Sequence, residues 1–570
     1  MTIETPYKIL EKPSTAPRKI KVLVIGAGAS GLNFAHELYN NVPDAELAIY
    51  EKNPSIGGTW YENRYPGCAC DIPSINYQYT WAPSTDWSSY YSTGPEILQY
   101  FKSVTKQHKL DRDVHLNHKI IFAKWNEAEK MWYVRAEVNG DPKNIVEDCG
   151  EILINATGIL NKWKWPNIKG LDNFKGPRLH SANWDTSLSL KGKSVGVIGS
   201  GSSAVQIVPN ILDDVESITQ FVRSRFWITA GFAQKFAGKN GANFEYSEEQ
   251  RELLKSNPEK YLRYRKNIES DLNARFRSVI KGSPEQLAAT DFAKNEMAQK
   301  LAKKPEVAEK VIPEDFGVGC RRPTPGNGFL EALCDPKTTL VYNNIEEVTE
   351  NGLRTVDGIE HKFDVLICAT GFDVSWIPHF PLIGRNGQDL REVWKQKPET
   401  YLSIAVPDFP NYLIFMGPHA PYAHGSVLPM VEAIAKYFVK VVKKLSCESV
   451  TSFEPKQDAV NDFIIHRRKF LDRTVWNDPC RSWFKQGTYD GELMMWPGSR
   501  IHFFETMGTP RWEDYNLTFS QGNRFEYFGN GFHLRETDGR DLSWYLGTLN
   551  DSDIQPQYTD DDIKEFLMTG

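Results

Sequence analysis

Two copies of one glycine-rich pattern constrain the fold of this 570-residue chain more than any other feature. Each copy follows a short apolar strand, Lys21–Ile25 for the first copy and Ser194–Ile198 for the second. After a helix-like stretch, each is closed by another apolar segment, Glu46–Tyr50 or Ser217–Val222. A strand, turn, helix and strand in this order form a βαβ unit with parallel strands. We therefore predict an α/β fold with two Rossmann-like dinucleotide-binding domains.

The first copy, GAGASG over residues 26–31, fits the pattern G-x-G-x-x-G. Gly26 allows the tight turn, Gly28 lets a pyrophosphate approach the backbone, and Gly31 permits close packing of the helix on the strand. Ser30 lies where the helix N-terminus faces the phosphates. Glu51 follows the second strand, where an acid binds ribose hydroxyls and disfavours a 2′-phosphate. The first ligand is therefore predicted to be FAD or NAD rather than NADP.

The second copy, GSGSSA over residues 199–204, has alanine as its last member, a permitted variant. Arg223 stands after the closing strand, where the first copy has its acid, and its planar guanidinium matches a phosphate dianion. Ser224 is a second predicted phosphate donor, and Arg225 could share the role. The residues assigned to this NADP site are Gly199, Gly201, Ser202, Ser203, Arg223 and Ser224.

Composition excludes several other classes of protein. The net charge of −6 and the lack of a basic region argue against nucleic acid as a partner. The most apolar stretch, Val427–Val442, is interrupted by Glu432, Lys436 and Lys440, so no membrane segment is predicted. Eight cysteines without a C-x-x-C pair are too few for a disulfide framework. We expect a cytoplasmic monomer or weak oligomer without a metal site.

Composition also changes along the chain. The segment from Phe244 to Val311 is rich in Lys, Glu, Ala and Arg and is predicted to be helical. We take this segment as a helical insertion in the second domain. The last 200 residues contain no third nucleotide-binding pattern, so they are predicted to complete the first domain or to cover the active site.

One FAD site and one NADP site together predict a flavoprotein that takes hydride from NADPH. A disulfide acceptor would need a redox cysteine pair, but the side chains of Cys68 and Cys70 diverge if that segment is extended. This reasoning favours the other common acceptor, O2.

Two longer strings carry a resemblance to a known family. FKGPRLHSANWD over residues 174–185 fits F-x-G-x-x-x-H-x-x-x-W-[P/D], and GGTWYENRYPGCACD over residues 57–71 fits [A/G]-G-x-W-x-x-x-x-[F/Y]-P-[G/M]-x-x-x-D. From about residue 20 to beyond Trp483 the chain resembles type I Baeyer–Villiger monooxygenases. The related flavin-containing monooxygenases, which oxygenate N and S atoms, usually have Tyr or Phe where Trp184 stands. They remain the alternative.

The resemblance implies a domain layout, in which the Ala-Thr-Gly strings at 156–158 and 369–371 are the linkers between the FAD and NADP domains. The FAD domain is then split over residues 1–157 and 371–570, the latter part including an active-site cover. The NADP domain, split over residues 158–235 and 319–370, is inserted in the FAD domain, and residues 236–318 form a helical insertion in the NADP domain.

The resemblance also implies a reaction. NADPH reduces FAD, O2 gives a C4a-peroxyflavin, and this attacks a small ketone to form a tetrahedral adduct. Migration of a carbon then yields an ester or lactone, with thioether oxidation as a side activity. The protein must exclude water and stabilise the negative charge of the adduct.

The resemblance also assigns residues. In the string GCRRP over residues 319–323, Arg322 matches the catalytic arginine and Arg321 a basic residue at the NADP 2′-phosphate, with the reverse assignment as the alternative. Asp71 would lie beside Arg322, orient its guanidinium and neighbour the flavin. His180 and Trp184 would lie at the domain junction, where they could couple NADP binding to domain rotation.

Further cofactor and substrate residues follow from the same alignment. The additional flavin neighbours are Thr59, Trp60 and Tyr77. Trp483 matches a tryptophan that reaches the ribose on the nicotinamide side. Residues 417–427 align with the loop that lines the substrate pocket, with Tyr422, His424 and Val427 as candidates. The alternative is that these three support the flavin without touching substrate.

Overall fold

Parallel strands form the two central sheets of the protein, whose computed structural model describes residues 7–422, 425–549 and 551–567. In chain order the strands are β1 (Lys21–Ile25), β2 (Glu46–Tyr50), β3 (Val114–His115), β4 (His118–Asn126), β5 (Met131–Val138), β6 (Asp141–Gly150), β7 (Ile152–Asn155), β8 (Arg178–His180), β9 (Ser194–Ile198), β10 (Ser217–Phe221), β11 (Ile228–Thr229), β12 (Thr324–Pro325), β13 (Thr338–Val341), β14 (Ile345–Val348), β15 (Gly352–Thr355), β16 (Glu360–Lys362), β17 (Val365–Cys368), β18 (Leu382–Ile383), β19 (Tyr412–Ile414), β20 (Val450–Pro455) and β21 (Tyr515–Phe519).

The α-helices cover the sheets and fill the segments between them. They are α1 (Ala29–Asn41), α2 (Thr59–Glu62), α3 (Gly94–His108), α4 (Ser202–Ile211), α5 (Glu248–Ser256), α6 (Pro258–Ala274), α7 (Pro284–Lys300), α8 (Pro305–Val311), α9 (Phe329–Cys334), α10 (Leu390–Gln396), α11 (Leu428–Cys447), α12 (Gln457–Leu471), α13 (Arg500–Met507) and α14 (Asp560–Leu567). None of the described helices combines the length and the apolar character that a membrane crossing requires.

The first sheet has the strand order β19-β7-β1-β2-β3, and all its pairs are parallel. Strands β1 and β7 are almost wholly buried because both faces of the sheet are covered. Helix α1 follows the first glycine turn and packs against α11. Strand β19 comes some 250 residues after β7 in the sequence yet pairs with it directly, so this domain is discontinuous.

The second sheet, with the order β13-β10-β9-β17-β8, is also wholly parallel. All of its strands lie between β7 and β19 in the sequence, so the second domain is inserted in the first. The predicted α/β fold with two dinucleotide-binding domains is therefore confirmed. A four-stranded sheet, β18-β4-β5-β6, and a three-stranded sheet, β14-β15-β16, add to the two domains.

Helices α5–α8 occupy the region predicted to be a helical insertion, between β11 and β12 of the second domain. Ser247 and Ser283 accept hydrogen bonds from backbone N–H groups at the starts of α5 and α7, which fixes where these helices begin. Helix α6 reaches the first domain, where the hydroxyl of Tyr261 donates to the carbonyl of Ser84 at 2.7 Å. The insertion thus contacts both domains.

In its described residues, the C-terminal segment following α12 contains six short 3-10 turns besides α13, β21 and α14. A disulfide joins Cys480 of this segment to Cys320 of the second domain, with 6.3 Å between the Cα atoms. Cys68 and Cys70 are both free thiols. The C-terminal segment is thus covalently attached to the second domain at the residue directly before the adjacent arginines Arg321 and Arg322.

Candidate functional site

A cavity of about 290 Å³ lies at the carboxyl ends of the strands of the first sheet. This edge is where open α/β sheets bind dinucleotides. Seven of the residues predicted to contact FAD line it, namely Gly26, Gly28, Ser30, Glu51, Thr59, Trp60 and Tyr77. The two others lie elsewhere: Gly31 packs beneath the turn and Asp71 pairs with Arg322.

The glycines of the first turn have different physical roles. Gly26 has φ +106°, and a Cβ there would lie 2.7 Å from the carbonyl oxygen of Ala156. A Cβ on Gly31 would lie 2.0 Å from the carbonyl oxygen of Gly26, so both glycines are required by the protein itself. A Cβ on Gly28 would instead meet only Gly58, at an ordinary 3.5 Å. Gly28 therefore leaves room on the side that faces the cavity.

Glu51 ends up buried at the end of β2, with its carboxylate at the cavity wall. Its two oxygens accept hydrogen bonds from the backbone N–H groups of Ala27 and Asn53, each at 2.9 Å. Burial raises the pKa of Glu51 above its ordinary value, and these two hydrogen bonds oppose the shift. The carboxylate is thus anchored beside the glycine turn, with accepting capacity left for a ribose hydroxyl.

The second glycine turn repeats this geometry. Gly199 has φ +118°, and a Cβ there would lie 2.4 Å from the carbonyl oxygen of Ala369. A Cβ on Gly201 would meet no atom of the described residues within 4 Å. Ser202 and Ser203 form the first turn of α4, and the hydroxyl of Ser202 lies 3.4 Å from that of Thr324. The open space at Gly201 matches that at Gly28 of the first turn.

Beyond the second turn, Arg321 donates from Nη2 to the Oγ of Ser224 at 3.0 Å. Partial burial and the positive charge of Arg481 lower the pKa of Arg223. Burial lowers the pKa of Arg321, and the charges of Arg223 and Arg481 contribute. The structure thus brings together the arginines predicted at the 2′-phosphate and adds Arg481. The sequence analysis missed Arg481 because its position gave no pattern of its own.

Arg322 forms a bidentate ion pair with Asp71, which stands 251 residues earlier in the chain. Nη2 of Arg322 donates to Oδ1 of Asp71 at 2.9 Å, and Nη1 donates to Oδ2. Although burial lowers it, the carboxylate of Asp71 raises the pKa of Arg322 above its ordinary value. The guanidinium also lies 5.5 Å from the centre of the Phe232 ring. This arrangement holds a fixed positive charge in one orientation.

A second cavity, of about 430 Å³, lies between the helical insertion and the loop that carries Arg322. Its wall includes Phe232 and Pro323, which contact or adjoin Arg322. The insertion contributes further lining residues, among them Leu272, Arg275, Val279 and Phe292. Sequence reasoning missed this cavity because its wall is assembled from segments that are distant in the chain.

Two of the three candidate substrate residues, Tyr422 and Val427, do not line this second cavity. Tyr422 and Val427 lie along the first cavity, with the predicted flavin residues. The hydroxyl of Tyr422 donates to the carbonyl of Met416 at 2.6 Å and accepts from Nε1 of Trp376 at 3.2 Å. His424 lies outside the described residues. Trp483 belongs to the C-terminal segment, and its ring centre lies 5.4 Å from that of Tyr422.

Comparison with known proteins identifies the family. A family model described as an NAD(P)-binding Rossmann-like domain matches residues 24–93. The chain is 38% identical to the FAD-binding monooxygenase tazF of Aspergillus terreus, over 95% of this chain and 98% of that protein. It is 31% identical to a Baeyer–Villiger monooxygenase of Pseudomonas aeruginosa, over 86% of this chain and 89% of that protein.

Solved structures agree with these relatives. A closed crystal structure of cyclohexanone monooxygenase has a TM-score of 0.76 at 25% identity, covering 89% of this chain and all of that one. A complex of OTEMO with FAD and NADP has a TM-score of 0.76 at 26% identity, covering 88% of this chain and all of that one. The chain therefore belongs to the family of FAD-binding monooxygenases that includes the Baeyer–Villiger monooxygenases.

Proposed function

We propose that the protein uses FAD, NADPH and O2 to insert an oxygen atom beside the carbonyl of a small ketone, which gives an ester or lactone. The single observation that carries this proposal is the fixed cation of Arg322, paired with Asp71 and adjoining a cavity of about 430 Å³. Oxidation of a thioether is proposed as a side activity.

The first cavity fits FAD by its own chemistry. Gly28 leaves room for a pyrophosphate, the N-terminus of α1 faces that position, and Glu51 offers a carboxylate for ribose hydroxyls. The second turn, with Gly201 and the arginines beyond it, fits NADPH in the same way. Bound together, the two cofactors supply the hydride and the activation of O2.

Arg322 is suited to stabilise the negative charge that develops on the ketone oxygen during oxygen insertion. Asp71 holds the guanidinium through two hydrogen bonds, so the charge needs no reorganisation when the reaction occurs. Phe232 and the other apolar residues of the second cavity, such as Leu272 and Phe292, offer the substrate a surface from which water is readily displaced. A cation alone would also attract water, so the reaction needs both the guanidinium of Arg322 and the apolar residues beside it.

The domain boundaries form a second part of the proposal. We propose that the chain divides near residues 157, 235, 318 and 370. Support comes from the first sheet, whose strands end at Asn155 and resume at Tyr412, and from the second, which spans Arg178 to Cys368. Helices α5–α8 lie within the proposed insertion of residues 236–318.

Substitution of Arg322 tests the proposed reaction. In Arg322→Ala, we expect ester formation to fall by about 10² or more, the loss typical of a removed oxyanion donor. Bleaching of the flavin by NADPH without oxygen should stay within a few-fold of wild type, because Arg322 does not belong to the 2′-phosphate cluster. Product analysis with a panel of ketones and thioethers measures both activities. Arg277→Ala, at an exposed position of the insertion, serves as the control.

Two results would count against the proposal. A normal yield of ester from Arg322→Ala would show that the cation has another role. Sulfoxide or N-oxide without ester from any ketone, already in the wild type, would instead favour a heteroatom-oxygenating flavin-containing monooxygenase.

A further inference from the structure

Three arginines lie together beside the second glycine turn, and the third comes from a distant part of the chain. Arg223 follows β10 and Arg321 precedes β12, whereas Arg481 belongs to the C-terminal segment. We infer that Arg481 is a third ligand of the NADP 2′-phosphate and so helps the enzyme choose NADP over NAD. This inference rests on the proposed use of NADPH.

The arginines of the cluster have no direct carboxylate partner, although the charge of Asp315 acts on Arg321 from farther away. Among the described residues, no carboxylate lies within 4.0 Å of the guanidinium nitrogens of Arg223, Arg321 or Arg481. The Nε atoms of Arg321 and Arg481 are buried and have no hydrogen-bond partner in the described structure. Buried donors without partners are costly unless a ligand satisfies them. A phosphate dianion would offset both the repulsion between the cations and the unpaired donors.

Arg481 is also held in position by contacts that do not involve a phosphate. The disulfide Cys320–Cys480 joins the residues directly before Arg321 and Arg481, and both cysteines are buried. Close by, Oδ2 of Asp478 accepts a hydrogen bond from the backbone N–H of Gly317 at 3.1 Å. The separation between the two arginines is therefore limited by a covalent bond rather than by chance contact of two loops.

The side chains around Arg481 leave its charge available. Its guanidinium lies 5.5 Å from the ring centre of Tyr489, an aromatic contact that orients the plane but does not neutralise the charge. Arg321 lies 5.4 Å from the ring centre of Phe316 and also donates to Ser224. Aromatic faces and a hydroxyl thus support the arginines, an arrangement suited to an anionic ligand and not to a structural ion pair.

Calorimetric titration of the FAD-loaded enzyme tests the inference. The ligands are NADP⁺, NAD⁺, 2′,5′-ADP, which keeps the 2′-phosphate without nicotinamide, and inorganic phosphate. In Arg481→Gln, we expect the Kd for NADP⁺ and 2′,5′-ADP to rise roughly 10- to 100-fold, the loss of a charge-assisted hydrogen bond. The Kd for NAD⁺ should stay within twofold. Binding of inorganic phosphate alone should be far weaker than that of 2′,5′-ADP.

Two further variants make the result decisive. Arg223→Gln is the positive control, because its position defines the proposed NADP site. Arg473→Gln is the matched control, since Arg473 is an exposed arginine of the same segment whose guanidinium lies over Phe470. It should leave all four affinities within twofold. The flavin spectrum and the melting temperature of each variant establish that it is folded and loaded.

The outcomes separate this inference from the proposed function. If Arg223→Gln weakens NADP⁺ but Arg481→Gln does not, the inference is wrong and the NADP site stands. Equal weakening of NADP⁺ and NAD⁺ in Arg481→Gln would also overturn it, because Arg481 would then support only the shape of the segment. If the wild type binds NADP⁺ and NAD⁺ equally, the proposed cofactor choice itself fails.

Discussion

At the scale of single residues, two adjacent arginines have opposite environments. Arg322 has a carboxylate partner, Asp71, whereas Arg321 donates to the neutral hydroxyl of Ser224. A paired cation keeps its charge and orientation fixed, which suits catalysis at a neutral carbonyl. An unpaired cation is available for a phosphate dianion. Long-range contacts, and not the residue type, therefore distinguish the roles that we propose for Arg322 and Arg321.

Another residue-scale feature is a buried histidine at the junction of the two domains. Nε2 of His180 lies 3.3 Å from Oγ1 of Thr370, in the connection that follows β17. Nδ1 accepts the backbone N–H of Ala182 at 3.1 Å, and the ring stacks on Trp163 with 4.7 Å between centres. Burial lowers the pKa of His180 to about 4. The imidazole is therefore neutral in the folded protein at pH 7.

This shift predicts a loss of stability in mild acid. The unfolded chain, where a histidine has a pKa near 6.5, binds the proton more tightly than the folded chain. Stability from neutral His180 is therefore present above about pH 6.5 and is lost as the pH falls towards 4. From pH 7.5 to 5.5, the wild type should lose about 1 kcal/mol more unfolding free energy than His180→Gln.

Urea unfolding at the two pH values measures this difference. His466→Gln, at an exposed position on α12, is the control and should lose as much stability as the wild type. An equal pH effect in wild type and His180→Gln would mean that the buried imidazole takes up a proton without cost.

The sequence predicted the arrangement of Asp71, Arg322 and Arg481 only in part. The resemblance to the family implied that Asp71 lies near Arg322, and the structure shows them as a direct pair. Arg322, and not Arg321, binds the carboxylate of Asp71 through a contact between residues that are 251 positions apart. No local sequence pattern indicates which of the two arginines makes this contact. Arg481 was missed for the same reason, because its neighbours in the cluster stand more than 150 residues away.

At the scale of elements, the two glycine turns are built alike. In each, the first glycine has a positive φ and lies against a carbonyl of the connection between domains, that of Ala156 or Ala369. Both connections have the sequence Ala-Thr-Gly, over residues 156–158 and 369–371. Each turn thus packs on the chain that crosses between the two domains, which places both dinucleotide sites next to the crossing.

The two kinds of glycine in these turns should respond differently to a methyl group. In Gly31→Ala, the new Cβ would lie 2.0 Å from a backbone oxygen, so α1 must move away from β1. We expect a loss of at least about 2 kcal/mol of stability, together with poor retention of FAD. In Gly201→Ala, the new Cβ has no neighbour within 4 Å in the part of the chain that the structure describes, so the fold and FAD content should persist while the Kd for NADP⁺ rises at least about tenfold.

The ratio of flavin to protein after gel filtration, the melting temperature and NADP⁺ titration distinguish these outcomes. Full FAD occupancy in Gly31→Ala would show that the helix can relax at little cost. Unchanged NADP⁺ affinity in Gly201→Ala would show that the pyrophosphate does not approach this backbone.

Strands proved easier to predict than the C-terminal segment. The bounds of β1, β2 and β9 match those read from the sequence, because each is a short apolar run that is buried on both faces. Residues 472–499 have no such periodicity and fold into short turns fixed by tertiary contacts. The disulfide that holds this segment joins cysteines 160 residues apart, so their pairing could not be read from spacing.

At the scale of the whole molecule, the first cavity joins two distant parts of the chain. Its wall combines residues 25–161 with residues 379–431. The second parallel sheet lies entirely between these parts in the sequence. The first domain is therefore completed only when the chain returns from the second, and strand β19 beside β7 is the backbone contact that closes it. A ligand in this cavity contacts both parts at once.

Removal of FAD should therefore weaken the first domain more than the second. A ligand that binds only the folded state stabilises it by about 1.4 kcal/mol for each tenfold excess over Kd. We expect limited trypsin digestion of the FAD-free protein to cleave first in residues 371–567, while the continuous sheet of residues 178–368 resists. Added FAD should suppress this cleavage throughout residues 371–567, whereas added NADP⁺, which we propose contacts this part through the segment around Arg481, should protect it less. Mass spectrometry of the fragments identifies the cleavage sites with and without FAD. Equal cleavage under both conditions would mean that protein contacts alone, including β19 against β7, hold the two parts of the first domain together.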